Sequence, residues 1–178
     1  ISTLAEKLPQ IVETKSVSDV KPVISKTKEE DDEYYDDFFE SALQAGEESN
    51  VDIVAVGNDF FSVEAGRKVG QRAVKNEYVI EKQGFEELFS LYHQFTRTIW
   101  GKLYRLNVLQ YMDKGKLGKL RYGGDTIFVQ EAFLRSKCVV LKNTVGHRYY
   151  INPKSVSYEL DVDRIISEDR LFERAVEY

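Results

Sequence analysis

Asp125 is the residue whose type and position best suit acid–base chemistry. It follows Gly123 and Gly124 and precedes apolar residues at helical spacing, which predicts a loop opening into a helix at residues 126–136. A carboxylate at a helix N-terminus can cap the helix by accepting backbone hydrogen bonds. It can also take a proton from a hydroxyl group that faces the same loop. The residues alone favour the cap, and the two roles are compatible.

Trp100, Lys102, Tyr104 and Arg105 stand together in a second segment with chemistry-bearing side chains. Trp100 is the single tryptophan of the chain, and its indole face suits either stacking on a sugar ring or anchoring a core. The two cations suit phosphate oxygens, although a surface salt bridge is the commoner use of such side chains. Tyr104 is predicted to lie in the core.

A third segment, residues 147–157, combines a histidine and an arginine with tyrosines and serines. His147 could touch a donor phosphate, while a structural role is the favoured interpretation. The other histidine, His93, lies far from it in the sequence, so no metal-ligand spacing is present. Arg148 and Ser155 are the further polar candidates of this segment.

In this order and at these distances, the three segments resemble family-2 glycosyltransferases of the GT-A fold. Members of that family carry a W-x-K-L-Y-R segment, an acidic E-D-T-x-F segment that opens a helix, and a strand ending in Y-x-Y before a polar loop with Ser. The resemblance extends over residues 31–158. The matching residues are Trp100-Gly101-Lys102-Leu103-Tyr104-Arg105, Gly124-Asp125-Thr126-Ile127-Phe128 and His147-Arg148-Tyr149-Tyr150-Ile151, with Ser155 in the loop that follows.

The resemblance implies roles for these residues in inverting transfer from a nucleotide-sugar. Asp125 matches the catalytic aspartate, which accepts the proton of the acceptor hydroxyl. Trp100, Lys102 and Tyr104 would line the acceptor site. One position departs from the family pattern, because Gly124 stands where the family commonly has Glu. The residues expected at the donor phosphates are Arg105, His147, Arg148 and Ser155.

A metal is also implied by the resemblance. These enzymes hold Mg²⁺ or Mn²⁺ on an acidic pair that bridges the nucleotide diphosphate, and that pair would be Asp31 and Asp32. Hard cations bind such carboxylates. The residues that lead into the pair, 25–29, are polar, whereas the family has an apolar strand there. A solvated acidic run is therefore the favoured interpretation of the pair.

The segments around these blocks predict an α/β fold with a mixed sheet flanked by helices. The fold class implied by the resemblance is a partial GT-A-like domain whose N-terminal nucleotide-binding half is largely missing. Residues 1–33 are predicted to be a linker or a poorly ordered arm, since they contain two of the three prolines and no aromatic residue. Residues 34–160 would form the glycosyltransferase-like domain, and residues 161–178 a C-terminal helix.

Periodicity places the individual elements. A β-branched run at residues 51–56 predicts a buried strand, and residues 59–82 predict a hairpin or irregular strand pair. Residues 138–142 and 145–151 predict two further strands. Helices are predicted near residues 35–45, 85–95, 105–113, 126–136 and 162–177.

Composition excludes several classes of function. A net charge of −5 argues against nucleic acid as the main partner. No segment approaches the roughly 18 apolar residues of a membrane span, and no signal peptide is visible. The single cysteine, Cys138, excludes an internal disulfide and a cysteine zinc cluster. These features predict a cytoplasmic protein, with the inner face of the membrane as the alternative location.

Three functions are compatible with these observations. The first is a glycosyltransferase domain of cell-surface polysaccharide synthesis, which binds a nucleotide-sugar donor and a glycan acceptor and works with a missing N-terminal half or a partner domain. The second is a non-catalytic glycosyltransferase-like module for binding or assembly. The third is an unrelated α/β interaction domain, in which residues 99–105 and 123–128 would lie far apart. The first requires Asp125 to project into a pocket walled by Trp100 and the tyrosine-rich final strand.

Overall fold

A computed structural model describes residues 32–48, 51–110, 122–153 and 161–176 of the chain. In these residues six strands form one mixed sheet with helices on both of its faces, which confirms the predicted α/β class. The strands are β1 (Glu33–Tyr34), β2 (Ile53–Ser62), β3 (Arg67–Arg72), β4 (Tyr78–Glu81), β5 (Lys102–Tyr104) and β6 (Cys138–Ile151). The helices are α1 (Phe38–Glu48), α2 (Phe89–Tyr92), α3 (Leu106–Gln110), α4 (Gly124–Arg135) and α5 (Val162–Val176).

β2 and β6 lie at the centre of the sheet and pair in parallel. The first half of each strand is apolar and buried on both faces of the sheet, which explains the runs of β-branched residues without alternation. In this half, Ile53 pairs with Val139. Further along, Asn58 pairs with His147, and an irregularity near Gly57 separates the two parts of the ladder.

Each half of the central pair has its own outer neighbours. β4 and β5 flank the first half, on β6 and β2 respectively, whereas β1 and β3 flank the second half. All four outer strands run antiparallel to the central strand that they contact. The carboxyl ends of the two parallel strands therefore lie between β1 and β3.

Successive residues of β2 point to opposite faces of the sheet, so the chain builds two cores. Ile53 and Ala55 pack with α4 and with the helical segment of residues 85–95. Val54 and Val56 pack against α1. Because α1 has an apolar stripe, it covers this second face along its length. The α1 residues of the second core are Phe38, Ala42 and Ala45.

Some predicted elements differ from the structure. The two strands predicted at residues 138–142 and 145–151 are one continuous strand, β6, and the exposed residues at the expected break lie at the register shift in its pairing with β2. The helix predicted over residues 85–95 is the short α2 between two turns of 3-10 helix, and none of these pieces has a side-chain cap. Short helices of this kind depend on packing for their stability.

The structure contains three further predicted helices, in whole or in part. The helix predicted over residues 126–136 is α4, and the C-terminal helix is α5. α3 covers the first part of the helix predicted over residues 105–113, and the rest of that segment lies outside the described residues. None of the helices in the described part of the chain has the length and apolar character that crossing a bilayer needs.

Replacing Gly146 with Ala should lower the free energy of unfolding by about 1–3 kcal/mol, because overpacking strains a filled core. A Cβ there would lie 2.7 Å from Phe38 and 3.0 Å from Val56. The matched control is Gly70→Ala on β3, where a Cβ would meet Phe60 at an ordinary 3.6 Å. Urea unfolding measures both variants. Equal unfolding free energies for the two would contradict the close packing of α1 on β6.

Candidate functional site

Polar side chains replace apolar ones in the carboxyl halves of β2 and β6. Asn58 and His147 are buried register partners on these strands, and Asp59 and Arg148 follow as the next pair. In sheets with parallel strands, ligands commonly bind at the carboxyl ends of the strands. Buried polar groups also need hydrogen-bond partners. This end of the sheet is therefore the candidate functional site.

Trp100 forms the centre of the candidate site. β5 runs antiparallel to β2, so the residues before β5 reach the polar half of β2. Gly101, at a φ of 68°, turns the chain there and accepts a hydrogen bond from the Val56 N–H. The indole stacks on His147 and Tyr149, with ring centroids 4.4 and 5.2 Å away. This packing favours the anchoring role of Trp100 over sugar stacking, because protein rings already occupy indole surface.

Lys102 is buried beside Trp100, with its ammonium group directed at the backbone. Nζ donates hydrogen bonds to the carbonyl oxygens of Thr98 (2.6 Å) and Trp100 (3.2 Å). Burial, and then the positive charge of Arg72, lower the pKa of Lys102 well below its ordinary value, while Asp125 opposes this shift. The side chain thus holds the loop before β5, and its contact with an acceptor stays a prediction.

His147 is fully buried, and burial lowers its pKa to about 4. The positive charges of Lys102 and Arg72 act in the same direction, so the imidazole is neutral at pH 7. Neither ring nitrogen has a hydrogen-bond partner within the described residues. Oδ2 of Asp32 lies 3.7 Å from Nε2. A neutral imidazole in this state can serve a ligand as donor at one nitrogen and as acceptor at the other.

Asp125 lies in the first turn of α4, which begins at Gly124. Gly123 occupies the N-cap position with a φ of 76°, so the prediction that Asp125 caps the helix is wrong. Leu171 of α5 packs so closely over Gly123 that a Cβ there would overlap it. This glycine therefore lets α5 hold the start of α4 in place.

The start of α4 meets the loop before β5. Thr126 Oγ1 donates a hydrogen bond to the Arg97 carbonyl at 3.4 Å, and the rings of Tyr104 and Phe128 lie 5.7 Å apart. Burial raises the pKa of Tyr104, and the negative charge of Asp125 adds to this shift. The first and second sequence blocks therefore lie together, which argues against an unrelated interaction domain with chance matches.

Asp125 is an exposed residue, and its projection into a pocket walled by Trp100 and the final strand stays a prediction. Two cavities of the described residues are lined by other residues. A small one lies beneath α1. A groove of about 320 Å³ is lined by Phe61, Ser62, Val63, Gly66 and Tyr150.

A second polar network surrounds Asp59 near the end of β2. Its Oδ2 accepts a hydrogen bond from the Tyr35 hydroxyl at 2.9 Å. Its Oδ1 accepts from Gln71 at 2.8 Å and from Lys68 at 2.5 Å. Burial alone would raise the pKa of Asp59, but these donors lower it overall. The carboxylate is thus satisfied within the protein, and it joins the segment after β1 to the β2–β3 hairpin.

The acidic residues Asp32 and Glu33 contact β6. β1 pairs Glu33 with Arg148, and the Arg148 guanidinium donates a hydrogen bond to Glu33 at 2.7 Å. Tyr150 donates from its hydroxyl to Glu33 at 3.1 Å and from its backbone N–H to Asp32 at 3.3 Å. This part of the acidic run therefore has protein partners, and Arg148, predicted to bind donor phosphates, is paired with a carboxylate.

One other predicted residue, Arg105, is not brought to this group. Arg105 lies at the start of β2, where its Nε donates to the Val51 carbonyl at 3.0 Å. Because Asn58 and His147 lie in the other half of the central pair, this placement gives Arg105 a structural role in place of the predicted phosphate contact. Asp31 and Ser155 lie outside the described residues.

The structure adds residues that the sequence analysis did not single out. Arg72, at the end of β3, lies 5.3 Å from the centroid of the Trp100 ring. Asn58 and Asp59 belong to the same end of the sheet. A polar pair directly after a buried apolar run is a signal that could have identified these two residues. No local pattern marks Arg72, because its position depends on the pairing of β3 with β2.

Comparison with known proteins supports the fold. No protein-family model matches the chain, and no curated protein sequence matches it. Its fold is similar to part of the crystal structure of S. aureus TarS 1-349 in complex with UDP-GlcNAc, with a TM-score of 0.51 and 17% identity over 74% of this chain and 35% of that chain. For the complex with UDP, the TM-score is 0.47 and the identity is 18%, over 68% of this chain and 34% of that chain. The chain thus spans about a third of the length of each of these structures. Its mixed α/β fold resembles part of the TarS complex with UDP-GlcNAc.

Lowering the pH from 6.5 to 4 should destabilise the fold through His147 by about 3 kcal/mol. The unfolded chain binds more protons than the folded one in this window, because the pKa of the imidazole is lowered only on folding. His147→Phe should remove this part of the pH dependence, and the exposed His93→Phe is the matched control. Urea unfolding at several pH values between 4 and 6.5 measures the slope of the free energy of unfolding against pH for each protein. Equal slopes for wild type and His147→Phe would refute the neutral buried state.

Proposed function

We propose that this chain is the acceptor-side part of an inverting, nucleotide-sugar-dependent glycosyltransferase of the family-2, GT-A type that acts in cell-surface polysaccharide synthesis. One spatial observation carries the proposal. Trp100 of the first block stacks on His147 of the third, with ring centroids 4.4 Å apart. Tyr104 of the first block lies 5.7 Å from Phe128, in the helix whose first turn holds Asp125, so the three separated blocks lie together. The similarity to part of TarS, crystallised with UDP-GlcNAc, supports the proposal at the level of the fold.

In the proposed reaction, Asp125 accepts the proton of an acceptor hydroxyl group. The hydroxyl oxygen forms a bond to the anomeric carbon of the donor as the bond from that carbon to the diphosphate breaks. The diphosphate leaves with the bonding electrons, and attack from the opposite side inverts the anomeric configuration. Asp125 suits this role because it is an exposed acidic residue in the first turn of α4.

The aromatic and cationic residues of the first block act mainly by positioning in this proposal. Lys102 fixes the loop before β5 through two carbonyl groups. The Tyr104 hydroxyl donates to the Ile99 carbonyl at 3.2 Å, which closes the same loop. Trp100 anchors this loop against β6. A glycan acceptor would then lie over the edge of this loop, next to Asp125.

A divalent cation, Mg²⁺ or Mn²⁺, is part of the proposal. Within the described ranges, no three His, Cys, Asp or Glu side chains are grouped so that they could hold a metal. Asp32, a member of the predicted pair, offers a carboxylate oxygen, the type of ligand that such hard cations prefer. The other ligands would come from phosphate oxygens and water. When bound, such a cation neutralises charge on a leaving diphosphate. Asp31 stays a predicted ligand.

A non-catalytic glycosyltransferase-like module is the second candidate, and two observations favour it. The exposed Asp125 is not enclosed in a pocket that excludes water. Gly124 stands where the family commonly has Glu, and a Cβ there would contact nothing within 4 Å among the described residues outside its own helix turn, so no packing contact compensates for the missing carboxylate. A cytoplasmic location suits both candidates and stays a prediction.

Asp125→Asn should lower the rate of sugar transfer by about 10²–10⁴-fold, because an amide cannot accept the proton. The assay follows UDP release by the full-length protein, with UDP-sugars as donors and a glycan as acceptor. Asp169→Asn removes an exposed carboxylate on α5 and is the matched control with the wild-type rate expected. Sugar transfer by Asp125→Asn at the rate of the control would refute the assignment of Asp125 as the base.

Calorimetric titration with UDP separates the two candidates. The proposed enzyme should bind UDP at least about tenfold more tightly when Mn²⁺ is present. Asp32→Asn should remove most of this gain, whereas Asp36→Asn, which removes a nearby exposed carboxylate, should keep it. No UDP binding with or without Mn²⁺ would favour the non-catalytic module.

A further inference from the structure

Arg72 is a partly buried cation for which the described residues provide no acidic partner. Its Nη1 donates hydrogen bonds to the Gln94 carbonyl at 2.7 Å and to Thr98 Oγ1 at 3.3 Å. The guanidinium also lies 5.3 Å from the centroid of the Trp100 ring. These contacts use one terminal nitrogen. They leave Nε and the second terminal nitrogen to donate to a ligand.

Other positive groups lie close to Arg72. Burial lowers the pKa of Arg72 to about 10, and the charge of Arg97 adds to this shift. Arg72 in turn acts on the buried Lys102, where Asp125 offsets part of the effect. At pH 7 the Arg72 guanidinium still carries its full charge. A positive cluster with buried members is costly unless an anion neutralises it.

Buried hydrogen-bonding groups at the same end of the sheet also lack partners. Asn58 Nδ2 and both ring nitrogens of His147 have none among the described residues. The two side chains are 1% and 0% exposed, and they are register partners on β2 and β6. His147 stacks on Trp100 and lies within electrostatic range of Arg72. Unsatisfied groups of this kind indicate a polar ligand beside them.

We propose that Arg72, Arg97 and Lys102 form a binding site for a phosphate group of the substrate, with Asn58 and His147 as neutral hydrogen-bonding groups. The inference rests on the proposed function, which supplies a phosphate-bearing substrate. A guanidinium binds phosphate oxygens two at a time through its planar fork. Lys102 lies beside Arg72, since both side chains donate to Thr98. The diphosphate of a nucleotide-sugar and a phosphate within the acceptor have the same chemistry.

The site differs from the one predicted at Arg148. That guanidinium already has a carboxylate partner, since Glu33 lies 2.7 Å from it. Replacing Arg148 with a neutral residue would therefore break its contact with Glu33, whether or not a ligand binds there. Arg72 has no such contact within the described ranges, so its substitution reports on the ligand more directly.

Pyrophosphate is the first probe of this site, and Trp100 is the reporter. Because the chain has one tryptophan, and its ring lies 5.3 Å from Arg72, its fluorescence should change when an anion binds. Arg72→Gln should weaken pyrophosphate binding at least about tenfold. Arg67→Gln, an exposed position on the same strand, is the matched control and should leave the affinity unchanged. Calorimetry on the same samples measures affinity independently of the indole signal.

Two further ligands identify the source of the phosphate. UDP carries the diphosphate of a donor, and glycerol 3-phosphate represents a phosphorylated acceptor. If Arg72→Gln loses affinity for UDP but not for glycerol 3-phosphate, the site binds the phosphates of the donor. A loss confined to glycerol 3-phosphate assigns it to the acceptor, and either result supports the site.

No saturable pyrophosphate binding by the wild-type chain, or equal binding by Arg72→Gln and Arg67→Gln, overturns the proposal. Circular dichroism and urea midpoints establish that the variants fold. If Arg72→Gln does not fold, Arg97→Gln replaces it, since Arg97 is exposed, and it too should weaken binding. The titration involves no sugar transfer. The result of the titration does not depend on whether Asp125→Asn transfers sugar. Each proposal can therefore be refuted without the other.

Discussion

The parallel pairing of β2 with β6 is the constraint on which the rest of the structure depends. The ladder joins Ile53 with Val139 in the apolar half and, beyond the register shifts around Gly57, brings Asn58 beside His147 in the polar half. A slip by one residue would move every side chain of a strand to the opposite face. The cores on the two faces therefore hold in place a pair of polar groups whose own hydrogen bonds are not satisfied within the described residues.

β5 extends this constraint from the central strands to the candidate site. It is only a short strand, but it pairs with the most buried part of β2, and the hydrogen bond from Val56 to Gly101 fixes the point where the chain turns. Trp100 and Lys102, on either side of that turn, are then held by a ring stack and by two carbonyl groups. Apolar packing at one end of the sheet thus sets the geometry at the other end.

Local patterns predicted the parts of this arrangement that local forces determine. The β-branched run at residues 51–56 and the helix after Gly123 needed no distant partner to be recognised, and both are present. The partners of Glu33 and the place of Arg72 could not be predicted, because each depends on strand pairing across the chain. The contact of Leu171 with Gly123 could not be predicted for a related reason, because it joins two segments that are far apart in the sequence.

The charged side chains of the described residues differ in whether they have a partner of opposite charge. The chain carries a net charge of −5, yet carboxylates such as those of Glu33 and Asp59 are paired with their own cations, Arg148 and Lys68. Arg72 differs from these cations, because its hydrogen bonds within the described residues go to the Gln94 carbonyl and to Thr98 and not to a carboxylate. A cation of this kind gives an otherwise acidic protein one place that can attract an anion. Under the two proposals, such an anion would bind on the Trp100 side of the loop before β5, and the carboxylate base would lie at the start of α4, which meets the same loop.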